Sequence, residues 1–128
     1  MKKIIITGGL GYIGSELCKL YSGFSWKYDV IAIDNRFISE RVHELKRRKI
    51  KFVQADILNF DEIVNHIKDA DVVHHLAGIT DVAYVKKDSD HLRDERIKKV
   101  AIEGTRNVIN SMNEKAKIIF PSTHVVFE

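Results

Sequence analysis

At 128 residues, with 45% apolar and 30% charged side chains, the chain reads as one globular domain. A domain of that size buries about two-thirds of the surface its unfolded chain exposes. No apolar run approaches the ~20 residues of a membrane span and the N-terminus enters a strand pattern at once, so neither a membrane partner nor a signal peptide is expected. The net charge of +3 is modest, and the single cysteine excludes an internal disulfide and suits a reducing, cytoplasmic location.

The first predicted element is a strand over residues 2–7, carrying the apolar run Ile4-Ile5-Ile6. It feeds directly into Thr7-Gly8-Gly9-Leu10-Gly11-Tyr12-Ile13-Gly14, and an amphipathic helix over 12–22 follows. A strand, a glycine-rich turn and a helix start, in that order, build a site for a dinucleotide pyrophosphate. Gly8 permits the tight turn, because glycine alone takes positive φ without a Cβ penalty. Gly11 leaves room for the backbone to approach the phosphates, and Gly14 lets the helix pack closely on the sheet. The first-turn amides, those of Tyr12 and Ile13 among them, have no intrahelical acceptor, and the macrodipole adds positive potential there. Cys18, among Ile13, Leu17, Leu20 and Tyr21, reads as a buried packing thiol. Phe24, Trp26 and Tyr28 form an aromatic cluster before the next strand and read as local packing.

The second strand, residues 29–34, ends in Asp34, twenty residues beyond Gly14. A carboxylate at that tip can accept hydrogen bonds from an adenosine ribose. It also repels the 2′-phosphate of NADP, whereas Arg36 could attract it, so NAD is the expected cofactor and NADP the lesser one. A helix over 38–48 follows, and much of the positive charge sits between Arg41 and Lys51. Val42, Leu45 and Ile50 give that segment an apolar side, and Glu40 and Glu44 interrupt its basic residues. That pattern is a solvated amphipathic helix rather than a nucleic-acid-binding surface.

A strand over 51–54, a helix over 60–69 and a strand over 71–77 come next. His74 and His75 are adjacent on that strand, point to opposite faces and cannot chelate one metal together, so no metal is expected. Residues 80–94 are polar and weakly periodic, a mobile loop over the cofactor pocket. A long helix over 91–114 carries Ile97, Ala101, Val108 and Met112 as a buried face with Val100 and Ile109 beside it. Gly104 interrupts that face at a cost of about 1 kcal/mol relative to alanine, which a close approach to the sheet would explain. The last strand, residues 117–122, contains the only proline, Pro121. Ser122, Thr123 and His124 lack the Gly-x-Ser-x-Gly elbow of acyl-transfer enzymes.

Strands alternating with helices imply βαβ units with right-handed crossovers. The expected fold is α/β: a Rossmann-like, doubly wound parallel sheet of five strands in the order 3-2-1-4-5, with helices on both faces. Residues 1–128 form one NAD(P)-binding domain, with the nucleotide across the carboxyl ends at the switch between strands 1 and 4.

With the fingerprint Thr-Gly-x-x-Gly-x-x-Gly in place, several ordered motifs give the chain a family likeness. It resembles the extended short-chain dehydrogenases/reductases, and within them the NAD-dependent epimerase/dehydratase group that works on nucleotide sugars. Asp34-Asn35 resembles the ribose-binding end of strand 2, and Asp56-Ile57 the pair that contacts adenine. His75-Leu76-Ala77-Gly78 resembles the family's His-Leu-Ala-Ala run, which lines the cofactor. Gly104-Thr105-Arg106-Asn107 is similar to the Gly-Thr-x-Asn signature of the long helix. Pro121-Ser122-Thr123 falls where the family carries a Ser-Ser/Thr pair near the nicotinamide, which implies a catalytic role for Thr123 and a secondary one for Ser122. Ala101 departs from the family, which has asparagine there.

The resemblance further implies a catalytic Tyr-x-x-x-Lys about two dozen residues beyond Thr123, and a sugar-binding domain after it. The sequence ends at Glu128 before either, so it reads as the N-terminal, cofactor-binding portion of such an enzyme. A nucleotide-sugar substrate is expected only with the remainder of the chain, and catalysis is not expected without it. The alternative is a non-enzymatic NAD(P)-binding module acting through a protein partner. Truncation would also leave Lys117-Ile118-Ile119-Phe120 as an uncovered apolar edge, through which self-association is expected.

Overall fold

The computed structural model of the chain describes residues 1–79 and 91–122. In chain order the elements are β1 (Lys2–Thr7), α1 (Tyr12–Ser22), β2 (Tyr28–Asp34), α2 (Ser39–Arg47), β3 (Lys51–Gln54), α3 (Phe60–Ile67) and β4 (Val72–His75). Then follow α4 (His91–Lys99), a π-helical stretch (Val100–Gly104), α5 (Thr105–Ser111) and β5 (Lys117–Ile119). The strands form one parallel sheet in the order β3-β2-β1-β4-β5, as the alternation of elements predicts. Among the described residues no helix is long and apolar enough to cross a membrane.

Two cores lie on the two faces of this sheet, and the period-2 alternation of the strands assigns residues to each. Ile5 of β1 sits between Ile31 of β2 and Val73 of β4, and all three pack with Ile63 and Ile67 of α3 and Val108 of α5. Its neighbours Ile4 and Ile6 face the other way, where Val30, Ala32, Cys18 of α1 and Val42 and Leu45 of α2 meet them. This double burial explains why β1 and β2 read as nearly continuous apolar runs. Cys18 is fully buried, and burial pushes its thiol up to about 12, so it packs and does not react.

The end of α2 shows how firmly the second core sets the chain path. Lys49 takes φ +59° so that Ile50 N–H reaches Leu45 O at 2.9 Å and Lys49 N–H reaches Lys46 O at 3.0 Å. That turn usually carries glycine, and a lysine there costs about 1–2 kcal/mol. Burial of Ile50 against Leu45 offsets the strain.

Four expectations need correction. First, β4 ends at His75 rather than 77, because the next two amides turn to the Thr7 hydroxyl, and β5 ends at Ile119 rather than 122. Second, the long helix ends at Ser111 and is interrupted by a π-helical stretch, which inserts a residue and shifts the buried face. Gly104, Val108 and Ser111 are buried, whereas Ala101 and Ile109 are exposed. Third, Gly104 closes on a side chain of the β3–α3 connection and not on the sheet: a Cβ there would stand 2.5 Å from Ile57 Cδ1. Fourth, the aromatic cluster is open. Tyr28 packs edge-on to Tyr21, but Phe24 and Trp26 are exposed.

Of the segment 80–94, residues 80–90 lie outside the described residues and the last four open α4. The apolar edge is present: Ile118, Ile119 and Phe120 are all exposed on or beside β5.

Candidate functional site

The carboxyl ends of β1, β2 and β4 meet around the glycine turn. Gly8 takes φ +70°, and a Cβ on it would stand 2.8 Å from Ala77 N, so the segment just after β4 presses directly on this residue. A Cβ on Gly14 would run into the carbonyl of Gly8, so the helix packs on the turn itself rather than on the sheet. Gly9 makes the approach to the sheet: a Cβ on it would lie 2.6 Å from Ala32 Cβ, and its N–H donates to Ile33 O at 3.1 Å. Sequence reasoning passed over Gly9, although the pairing of a glycine with a small Ala32 on the neighbouring strand was its signal.

Gly11 is the N-cap of α1, and it offers no side chain to the first-turn amides. Those of Tyr12, Ile13 and Gly14 therefore point out of the helix end without an intrahelical acceptor. The side chains of Tyr12 and Ile13 stand exposed at the same mouth.

One hydroxyl joins β1 to β4. Thr7 Oγ1 accepts the amides of Leu76 and Ala77, each at 3.1 Å, and donates to His75 Nδ1 at 2.8 Å. With both acceptor positions of Thr7 taken, its proton must go to His75. The His75 proton is therefore on Nε2, which donates to Thr105 Oγ1 of α5 at 2.9 Å. The Phe120 ring stacks on the imidazole at 5.7 Å. His75 is fully buried and desolvation lowers its pKa, so it stays neutral. His74 faces the opposite side, where its Nε2 meets the Tyr21 hydroxyl at 2.7 Å, and burial lowers its pKa as well. The two histidines thus part to opposite faces, and among the described residues no group of three His, Cys, Asp or Glu is placed to hold a metal.

Asp34 is buried at the tip of β2 with its carboxylate fully engaged. Oδ2 accepts Leu10 N at 3.1 Å and Arg36 Nη2 at 3.2 Å. Oδ1 accepts Arg36 N at 3.0 Å and Arg36 Nε at 3.1 Å. The hydrogen bonds that the Arg36 guanidinium donates to Asp34 raise its pKa above the ordinary value. Arg41 of α2 donates to Leu10 O, and its guanidinium lies 5.5 Å from the centre of the Tyr12 ring. Neither arginine contact follows from spacing, because both depend on how the turn after β2 folds back.

The remaining expected site residues divide between open backbone and local structure. Asn35 is exposed and its carbonyl accepts Gln54 Nε2 at 3.2 Å. Gly78 is exposed, with nothing within 4 Å of a Cβ, beside half-buried Leu76 and Ala77. Asp56 Oδ1 accepts Leu58 N at 2.9 Å, a turn that launches α3. Ile57 is buried beneath Gly104, and its carbonyl accepts Asn107 Nδ2 at 2.9 Å. The Gly104-Thr105-Arg106-Asn107 run thereby has a physical meaning: glycine for approach to Ile57, threonine for His75, asparagine for the Ile57 carbonyl. Ser122 is exposed beyond β5, and Thr123 lies outside the described residues.

The model of the 3-beta hydroxysteroid dehydrogenase/isomerase family matches residues 5–128. The chain is 31% identical over 110 residues to uncharacterized protein 052L of Frog virus 3 (isolate Goorha), covering 85% of this chain and 29% of the relative. It is 30% identical over 128 residues to a UDP-N-acetyl-alpha-D-glucosaminuronate decarboxylase of Bacillus cytotoxicus, covering 98% of this chain and 38% of the relative. Thus it spans about a third of the length of these curated relatives. The solved UDP-glucose 4-epimerase of Bifidobacterium longum in complex with NAD+ and UDP superposes with a TM-score of 0.80 at 20% identity, over 98% of this chain and 38% of that one.

Two predictions follow from the Thr7 network. Thr7→Val keeps the shape but leaves the Ala77 amide and His75 Nδ1 without their partner, while the Leu76 amide keeps Thr7 O at 3.2 Å; it should cost about 2–4 kcal/mol in urea unfolding, and Thr7→Ser under about 1. Stability should also depend on pH. In the unfolded chain His74 and His75 return to an ordinary value of 6.5, while the folded values are lower. Below that pH the unfolded state binds protons the native state refuses, so stability is full above it and falls as pH drops toward the folded values. The slope is at most about 1.4 kcal/mol per histidine per pH unit. Urea midpoints unchanged between pH 7.5 and 5 would contradict this, both pH values being chosen to bracket about 6.5.

Proposed function

The chain belongs to the 3-beta hydroxysteroid dehydrogenase/isomerase family, and we propose that it is the NAD-binding portion of a nucleotide-sugar epimerase or dehydratase. The observation that carries this reading is the turn from β1 to α1, with Asp34 at the tip of β2. The residues fit a dinucleotide. The space beside Gly11 and the amides at the start of α1 form a cradle with positive potential and no side chain to fill it. Gly8 keeps that backbone close to the segment after β4 and Gly14 keeps α1 close to the turn, and a larger residue at either would displace it.

In this reading the amides of Tyr12 and Ile13 donate to the pyrophosphate, and Asp34 accepts from the adenosine ribose. Asn35, Asp56 and Ile57 border the adenine side. Leu76, Ala77 and Gly78 border the nicotinamide, with open space beside Gly78. A bound nicotinamide dinucleotide supplies a reversible hydride acceptor. Thr123, with Ser122 secondary, would hydrogen-bond the sugar oxygen beside it. NAD is favoured over NADP because Asp34 places a carboxylate where a 2′-phosphate would lie. Curated relatives that include a UDP-sugar decarboxylase support the substrate class.

Titration calorimetry with NAD tests the proposal. Binding is expected at millimolar or tighter concentration, and Asp34→Ala should weaken it at least about tenfold, or about 1.4 kcal/mol. A folded chain that binds no NAD would overturn the reading, and an unchanged affinity in the variant would remove Asp34 from the site.

A further inference from the structure

Asp34 is the acceptor that the ribose needs, and it is already saturated. A carboxylate offers about four lone-pair positions. Here four donors fill them: Leu10 N, Arg36 N, Arg36 Nε and Arg36 Nη2. Two are backbone amides fixed by the path of the chain. The other two belong to one guanidinium, in a two-pronged grip on both carboxylate oxygens. The Asp34 side chain is 4% exposed and that of Arg36 is 53% exposed. Only the arginine can leave.

We propose that Arg36 competes with the adenosine ribose for Asp34 and thereby narrows the chain's preference for NAD over NADP. This rests on the dinucleotide reading above and concerns the same site. A ribose with a free 2′-hydroxyl must break the two side-chain bonds of the guanidinium before its hydroxyls can reach Asp34. The displaced guanidinium keeps its charge and remains tethered two residues away. A 2′-phosphate meets a different balance: it is repelled by Asp34 but pairs with the cation it has released, as a planar donor fork suits a phosphate. Arg41 adds to this side of the site, since it is bonded to the carbonyl of Leu10, whose amide is bonded to Asp34. The same arginine therefore weakens one cofactor and strengthens the other.

The opposite signs make the test specific. Calorimetry on the full chain, Arg36→Ala and Arg36→Lys with NAD and with NADP gives the affinities, and circular dichroism confirms each fold. The unaltered chain should favour NAD by less than about tenfold. Arg36→Ala should bind NAD at least about threefold tighter and NADP at least about tenfold more weakly. Arg36→Lys, which keeps the charge but loses the fork, should also tighten NAD while retaining most of the NADP affinity. If Arg36→Ala shifts both cofactors in the same direction, or neither, the competition is wrong and the NAD reading stands. If no chain binds either cofactor, the NAD reading fails and the competition falls with it.

Discussion

The Thr7 hydroxyl sits where the chain reverses its strand order, and the crevice depends on what it bonds. It accepts two amides from the segment after β4 and donates to His75, which in turn donates to Thr105 on α5. Two elements that are distant in sequence, β4 with its following residues and α5, are thereby fixed to the last residue of β1. The consequence is steric as well as polar. Leu76 and Ala77 are drawn so close to the turn that only glycine fits at position 8. The neutral Nε2–H form of His75 is a requirement of this network, because a proton on Nδ1 would face the Thr7 proton. Desolvation acts in the same direction, so polar bonding and burial agree.

The turn distributes its glycines among different tasks. Gly8 meets the segment after β4, Gly9 meets β2, and Gly14 meets the turn itself. The packing of α1 is therefore transmitted through Gly9 and Gly14 together, which leaves the amides at the start of α1 facing outward. Leu10 then connects this turn to the tip of β2, its amide on Asp34 and its carbonyl under Arg41. The anion cradle and the ribose acceptor are consequently one bonded unit rather than two neighbouring features.

Much of this was legible in the sequence because it is local. The β-branched run into Thr7-Gly8, the apolar alternation of β1 and β2, and the acid at position 34 each depend on a few adjacent residues. Strand order followed from the alternation of elements and the handedness of their crossovers. Non-local contacts were not legible. The π-helical stretch inserts a residue that periodicity cannot see, so Ala101 was assigned to the wrong face and Gly104 to the wrong neighbour. Phe24 and Trp26 read as packing because aromatic residues usually pack, yet among the described residues nothing covers them. Arg36 was visible as a charge near the ribose, but its grip on Asp34 requires the chain to fold back after β2.

The central claim is that a dinucleotide lies across the carboxyl ends of β1, β2 and β4, on the turn that Thr7 holds in place. Mapping backbone amide shifts during an NAD titration by nuclear magnetic resonance tests it most directly. The account predicts the largest changes at Gly8, Gly11, Tyr12, Ile13 and Gly14, with smaller ones at Leu76 and Ala77. Changes confined to other parts of the chain, or none at saturating NAD, would contradict it.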